Sequence, residues 1–97
     1  MELIFEWDEK KAAGNIKKHG VSFESALKVF NDPMRYEIFD HTHSFFENRW
    51  LTIGMVNTII LEVVFTERLN CIRIISAQKA DKEEEEEYFY GYSTICN

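Results

Sequence analysis

The sequence predicts a single α+β domain over residues 1–97, in the order β-α-α-β-β-β-β-α, with helices packed on an antiparallel sheet. Three observations carry this. The 97 residues, 45% hydrophobic and 14% aromatic, suffice for one core and not for two. Helical spacing of apolar residues is confined to two stretches before Pro33 and one after Asp81. Between them lie four strand-like stretches joined by connections short enough for hairpins.

A first strand is expected over residues 2–7, where Leu3, Phe5 and Trp7 alternate with Glu2, Ile4 and Glu6. Asp8 then caps a helix, because its carboxylate can accept from the first free backbone N–H groups. Gly20 suits the residue just past its end. Lys17, Lys18 and His19 fall in the last turn, at the negative end of the helix dipole. Ser22 caps a second helix whose Phe23, Ala26, Leu27 and Phe30 form one apolar stripe, stopped by Asn31-Asp32-Pro33. Strands follow over residues 34–39, 48–56, 58–66 and 71–76 as an antiparallel meander. A last, acidic helix spans residues 81–92, opened by Asp81 and Glu84 as a capping box and ending near Tyr90 or Gly91. Repulsion along Glu83 to Glu87 weakens that helix, so Tyr88, Phe89 and Tyr92 are expected to dock it.

The longest apolar run, residues 58–65, contains Glu62 and is too short to cross a bilayer. The start MELIFEWDEKK lacks a basic n-region and a cleavage site, so the expected location is the cytoplasm. Cys71 and Cys96 show no metal or redox spacing and read as a half-buried thiol and a tail thiol. The formal charge of -6 argues against nucleic-acid binding until its distribution is considered. Residues 81–87 hold six acids against Lys82, and the remainder carries 10 basic and 11 acidic residues, a net -1. Lys10, Lys11, Lys17, Lys18 and His19 cluster within ten residues and can give one positive face.

Functional side chains are densest from Asp40 to Trp50. Asp40, His41 and His43 include metal-ligating types, but a polar loop without an obvious fourth ligand is a poor cage, and no metal or cofactor is expected. Glu47 and Arg49 share a sheet face by spacing, either as a surface ion pair or as an acid-base group beside a phosphate-binding arginine. Arg68 stands in a hairpin. Arg73 interrupts an apolar strand and needs a partner, either a carboxylate such as Glu62 or a substrate phosphate.

Taken together, these stretches resemble the BrnT family of type II toxins, which share a RelE-like ribonuclease fold. The resemblance runs through Phe5-Glu6-Trp7-Asp8, Lys11, Asn15, Lys18 to Glu24, Ala26, Phe30 and Asp32-Pro33. It continues through His43-Ser44, Glu47, Arg49-Trp50, Ile53-Gly54, Val64 to Arg68 and Ile72 to Ala77. Order and spacing across residues 5–77 carry it, rather than any one string.

The resemblance implies a metal-independent endoribonuclease that blocks translation. It also implies neutralisation in a hetero-oligomer by a BrnA-type ribbon-helix-helix antitoxin, through which alone operator DNA is contacted. Such cleavage needs a base for the 2′-hydroxyl, cations for the phosphate and an acid for the leaving 5′-oxygen. His19 and Glu47 are the expected acid-base pair, with His19 alternatively a helix-terminal histidine. Arg49, Arg68 and Arg73 are expected to hold the reacting phosphate, and Lys11, Lys18 and Lys79 to bind substrate. The chain departs from the family in carrying Gln78 where an arginine is usual, and in its acidic last helix. Both suit an alternative, a weakened member acting as co-repressor with its antitoxin.

Overall fold

A five-stranded sheet in the order β1-β5-β4-β3-β2 forms the centre of the molecule. The structure, a computed structural model, describes residues 3–96, with side chains through residue 91. The strands are β1 (Ile4–Glu6), β2 (Tyr36–Phe39), β3 (Arg49–Val56), β4 (Ile59–Arg68) and β5 (Cys71–Lys79). From β2 to β5 they form the expected antiparallel meander. β1 differs: it lies parallel to β5, with Phe5 opposite Ile72, so the sheet is mixed. Alternation marks a strand but carries no information about its neighbour's direction.

The helices are α1 (Glu9–His19), α2 (Phe23–Leu27) with a 3₁₀ turn over Lys28–Asn31, and α3 (Lys82–Cys96). Asp8 accepts from the N–H groups of Lys10 and Lys11, and Gly20 takes the left-handed φ of 71° that ends α1. The second helix is shorter than its stripe. α-Helical geometry stops at Leu27, yet Phe23, Ala26 and Phe30 remain buried because the tighter turn keeps them on one side.

Sheet parity creates two cores. On one face, Phe23, Ala26, Val29 and Phe30 pack with Ala12 against Leu61, Val63, Phe65, Ile72, Ile74 and Ala77. The buried Asn15 fastens α1 there, donating to the carbonyls of Val21 (2.9 Å) and Ala77 (2.8 Å) and accepting from the Ala77 N–H (3.2 Å). On the other face, Tyr88 of α3 packs with Ile53 and Ile60. The Asp81-Glu84 capping box forms in both directions, at 3.0 and 2.8 Å. α3 does not stop near Gly91. It runs to Cys96, because Gly91 lacks the positive φ of a left-handed cap and an isolated glycine only weakens a helix.

Asp32 anchors α3, accepting from the Tyr88 hydroxyl (2.6 Å) and from the N–H groups of Met34 (2.9 Å) and Met55 (2.8 Å). Burial pushes its carboxyl up, but these hydrogen bonds outweigh burial and hold it below the usual value. Phe89 is largely exposed, so Tyr88 alone of the two docks as expected; the Tyr92 and Cys96 side chains lie outside the described residues. Cys71 is half-buried. No helix among the described residues is long and apolar enough to cross a membrane.

Candidate active site

Residues two apart on a strand share a face, so the burial of Ile72 and Ile74 against the helices sends Arg73 to the opposite side. Its register partner there is Thr66, whose own partner on the next strand is Arg49. On the outer side Arg73 meets Glu6 of β1. The result is one row across the sheet, Arg49, Thr66, Arg73 and Glu6, on the face away from α1 and α2.

Thr66 is buried and donates to the Asn48 carbonyl at 2.6 Å, fixing the start of β3. Arg73 Nη1 donates to Glu6 Oε2 at 2.9 Å. This bond foremost, followed by one from Cys71, holds the Glu6 carboxyl below its usual range. Glu62, the partner expected for Arg73, instead accepts from Gln78 at 3.2 Å beneath α3. Arg73 and Glu62 are separated because Arg73 lies opposite Thr66, four residues further along β4.

Glu47 lies beside this row, between two guanidiniums. Its Oε1 is 3.6 Å from Arg49 Nη2 and its Oε2 is 3.4 Å from Arg68 Nη2. Glu6, Glu47, Arg49, Arg68 and Arg73 together carry one net positive charge in a protein of net -6. The side chains of Arg49, Arg68 and Glu47 are 32%, 52% and 34% exposed, open enough to meet a substrate and constrained enough to be positioned.

His19 does not share this site. It ends α1, which packs on the face from which Arg73 points away. The adjoining Gly20 lines a groove with Lys79, six residues beyond Arg73, which is about 20 Å along a strand. Lys18 belongs to this second end, and both lysines are exposed. Lys11 is exposed in the first turn of α1 beside Asp8, whose carboxyl is held low first by the Lys11 and Lys10 backbone bonds, with a smaller contribution from Arg73. The side chains expected in a single pocket thus lie in two separate places. Spacing along one helix or strand cannot show which side of a sheet the helix will cover.

The Asp40-to-Arg49 loop holds groups read at first only as metal ligands. Asp40 continues β2 past Phe39, and its N–H donates to the Arg49 carbonyl at 2.9 Å. His43 Nδ1 lies 2.9 Å from Asp40 Oδ2. His41 turns away and packs edge-on against Phe39, with ring centres 4.7 Å apart. Among the described residues no three His, Cys, Asp or Glu side chains converge as metal ligands. Phe45 and Phe46, 87% and 95% exposed, form an edge-on pair at the loop tip. Glu6 and Thr66 join the row without being among the expected site residues. The signal was a carboxylate on the polar side of the first strand and a hydroxyl two residues before Arg68.

A family model described as the ribonuclease toxin, BrnT, of type II toxin-antitoxin systems matches residues 7–84. That stretch includes Glu47, Arg49, Arg68 and Arg73 and ends within the first turn of α3. No curated protein matches the chain significantly.

Proposed function

Because this chain belongs to the BrnT family of type II ribonuclease toxins, we propose that it cleaves RNA without a metal ion at the arginine row. The observation that carries this reading is the placement of Arg49, Arg68 and Arg73 on one sheet face, with Glu47 between Arg49 and Arg68. An RNA phosphate laid on that face meets guanidinium donors, which favour the extra negative charge of the five-coordinate transition state. Glu47 is placed to take the proton from the attacking 2′-hydroxyl. Arginine-rich surroundings repel a cation, so charge stabilisation falls to the protein's own donors. Lys11 is the substrate-binding lysine nearest the row. His19, Lys18 and Lys79 are outside the chemistry and help only to guide the strand.

The family pairs a toxin with an antitoxin, and we assign this chain a BrnA-type ribbon-helix-helix partner. The hetero-oligomer would block translation when the partner is lost and reach operator DNA only through that partner. The co-repressor alternative rested on Gln78 and on the acidic last helix. Gln78 sits under α3 with Glu62, outside the row, so its neutral amide leaves the arginine set intact.

Incubating the purified protein with total RNA in EDTA tests this. Wild-type protein should cut, and Glu47→Ala and Arg49→Ala should each be about 100-fold slower, the usual loss for a charge-stabilising or proton-transfer group. Abolition by EDTA would refute metal independence, and wild-type rates from both variants would refute the site. Expression alone should arrest growth, and co-expressed antitoxin should relieve it.

A further inference from the structure

None of the arginines in the row can serve as the acid of this reaction, since a guanidinium does not release its proton at physiological pH. Glu47 is committed to the base, and His19 lies beyond the opposite sheet face. The leaving oxygen therefore needs a donor from elsewhere. The structure holds one at the β2 edge of the row.

Asp40 N–H donates to the Arg49 carbonyl, so Asp40 is the next position of the row outward from Arg49. Ser44 closes the loop in place of the remaining ladder bond: its hydroxyl accepts from the Arg49 N–H (2.9 Å) and donates to the Asp40 carbonyl. The Asp40 carboxylate, 16% exposed, grips His43 twice. Oδ1 accepts from the His43 backbone N–H at 3.2 Å, and Oδ2 faces ring Nδ1 at 2.9 Å. With Nδ1 engaged, Nε2 is the free nitrogen of a ring that is 66% exposed.

We propose that His43, oriented by Asp40, is the general acid of RNA cleavage. The inference rests on the nuclease reading above. In the step, O2′ loses its proton to Glu47 and forms a bond to phosphorus. The P–O5′ bond breaks with its electron pair going to O5′, which takes the proton from imidazolium Nε2. Products are a 2′,3′-cyclic phosphate and a 5′-hydroxyl, with Glu47 protonated and His43 neutral, and exchange with water restores both. No further reactant is needed. Asp40 is a positioning residue: its carboxylate holds the ring by Nδ1 and leaves Nε2 to face the substrate.

Two short RNAs test the assignment, one ordinary and one with sulfur replacing the bridging 5′-oxygen at the cleaved bond. A thiolate departs without protonation. His43→Ala should cut the ordinary RNA about 100-fold slower than wild type, within the usual range for a proton donor. On the sulfur substrate it should approach the wild-type rate, whereas Glu47→Ala stays slow on both. Asp40→Ala should slow the ordinary RNA and approach the wild-type rate on the sulfur substrate, as His43→Ala does. A wild-type rate for His43→Ala on ordinary RNA, or equal loss on both substrates, overturns the assignment while the nuclease reading stands. A wild-type rate for Asp40→Ala on ordinary RNA, or equal loss on both substrates, overturns the role given to Asp40. If wild-type protein cuts neither RNA, the nuclease reading fails and this proposal falls with it. With its side chain 66% exposed, His43 can be replaced without disturbing the core, and circular dichroism checks that the variant is folded.

Discussion

Replacing Glu62 with glutamine should stabilise the protein in alkaline buffer and change little at pH 5. Burial, and then the hydrogen bond and charge of Glu84, push the Glu62 carboxyl from 4.5 up to about 8, while Gln78 offers it only a neutral amide. In the unfolded chain the carboxyl ionises near 4.5. Between these values the native state holds a proton that the unfolded state has released, so rising pH erodes stability across that window. The loss is complete above about 8. A perturbation of that size would be worth at most about 5 kcal/mol, and solvent screening of a half-buried group reduces it to roughly 1–2 kcal/mol. For a domain of this length that is a gain of about 5–15 °C in melting temperature at pH 9. Thermal unfolding of both proteins at pH 5 and pH 9, followed by far-ultraviolet circular dichroism, measures the difference; groups away from Glu62 titrate alike in both proteins and cancel. Equal melting differences at the two pH values, or a less stable variant at pH 9, would refute the reasoning. Gln78→Arg should flatten the same pH slope by giving Glu62 a cation.

Two further changes test the packing and the backbone. Gly54→Ala places a methyl group 2.9 Å from Val29 Cγ1, 3.0 Å from Arg35 Cβ and 3.3 Å from Asp32 Oδ2. It should cost about 1–3 kcal/mol in urea unfolding, the range for an overpacked core, and an unchanged midpoint would contradict the close approach. Leu69 turns the β4–β5 hairpin at φ 44° with its side chain fully exposed. Leu69→Asn should therefore stabilise by up to about 1 kcal/mol, since asparagine tolerates that conformation better than leucine; a lower urea midpoint would contradict the strain.

What the sequence disclosed was mostly local. Asp8, Gly20, Ser22 and the Asp81-Glu84 pair act on backbone groups within four residues, so their identities suffice to place helix ends. Gly91 misled because a glycine ends a helix only when its φ turns positive, which composition does not reveal. The strands were legible from alternation, while the parallel partner of β1 depended on the Phe5 ring packing on Phe30 across 25 residues. At the site, Glu47, Arg49, Arg68 and Arg73 were chosen as residue types and do come together in space. The Glu6–Arg73 bond joins residues 67 apart in the chain, and no local pattern predicts it. His19 was grouped with the arginines because its chemistry suited the reaction, whereas the burial of Ala12 and Asn15 sets α1 on the other face of the sheet. Asp40 and His43 were visible at a spacing of three. Their relation to Arg49 appeared only once the loop was folded back by Ser44.

The most direct test of the central claim compares the two ends of the sheet in one assay. Single-turnover cleavage of one RNA in EDTA is measured for Arg73→Ala and His19→Ala, with melting curves confirming that both are folded. The arginine row predicts a loss of about 100-fold or more for Arg73→Ala, as for removal of a transition-state charge donor, and less than about threefold for His19→Ala. A native rate from Arg73→Ala beside a crippled His19→Ala would place the chemistry at the opposite end of the molecule and contradict the account.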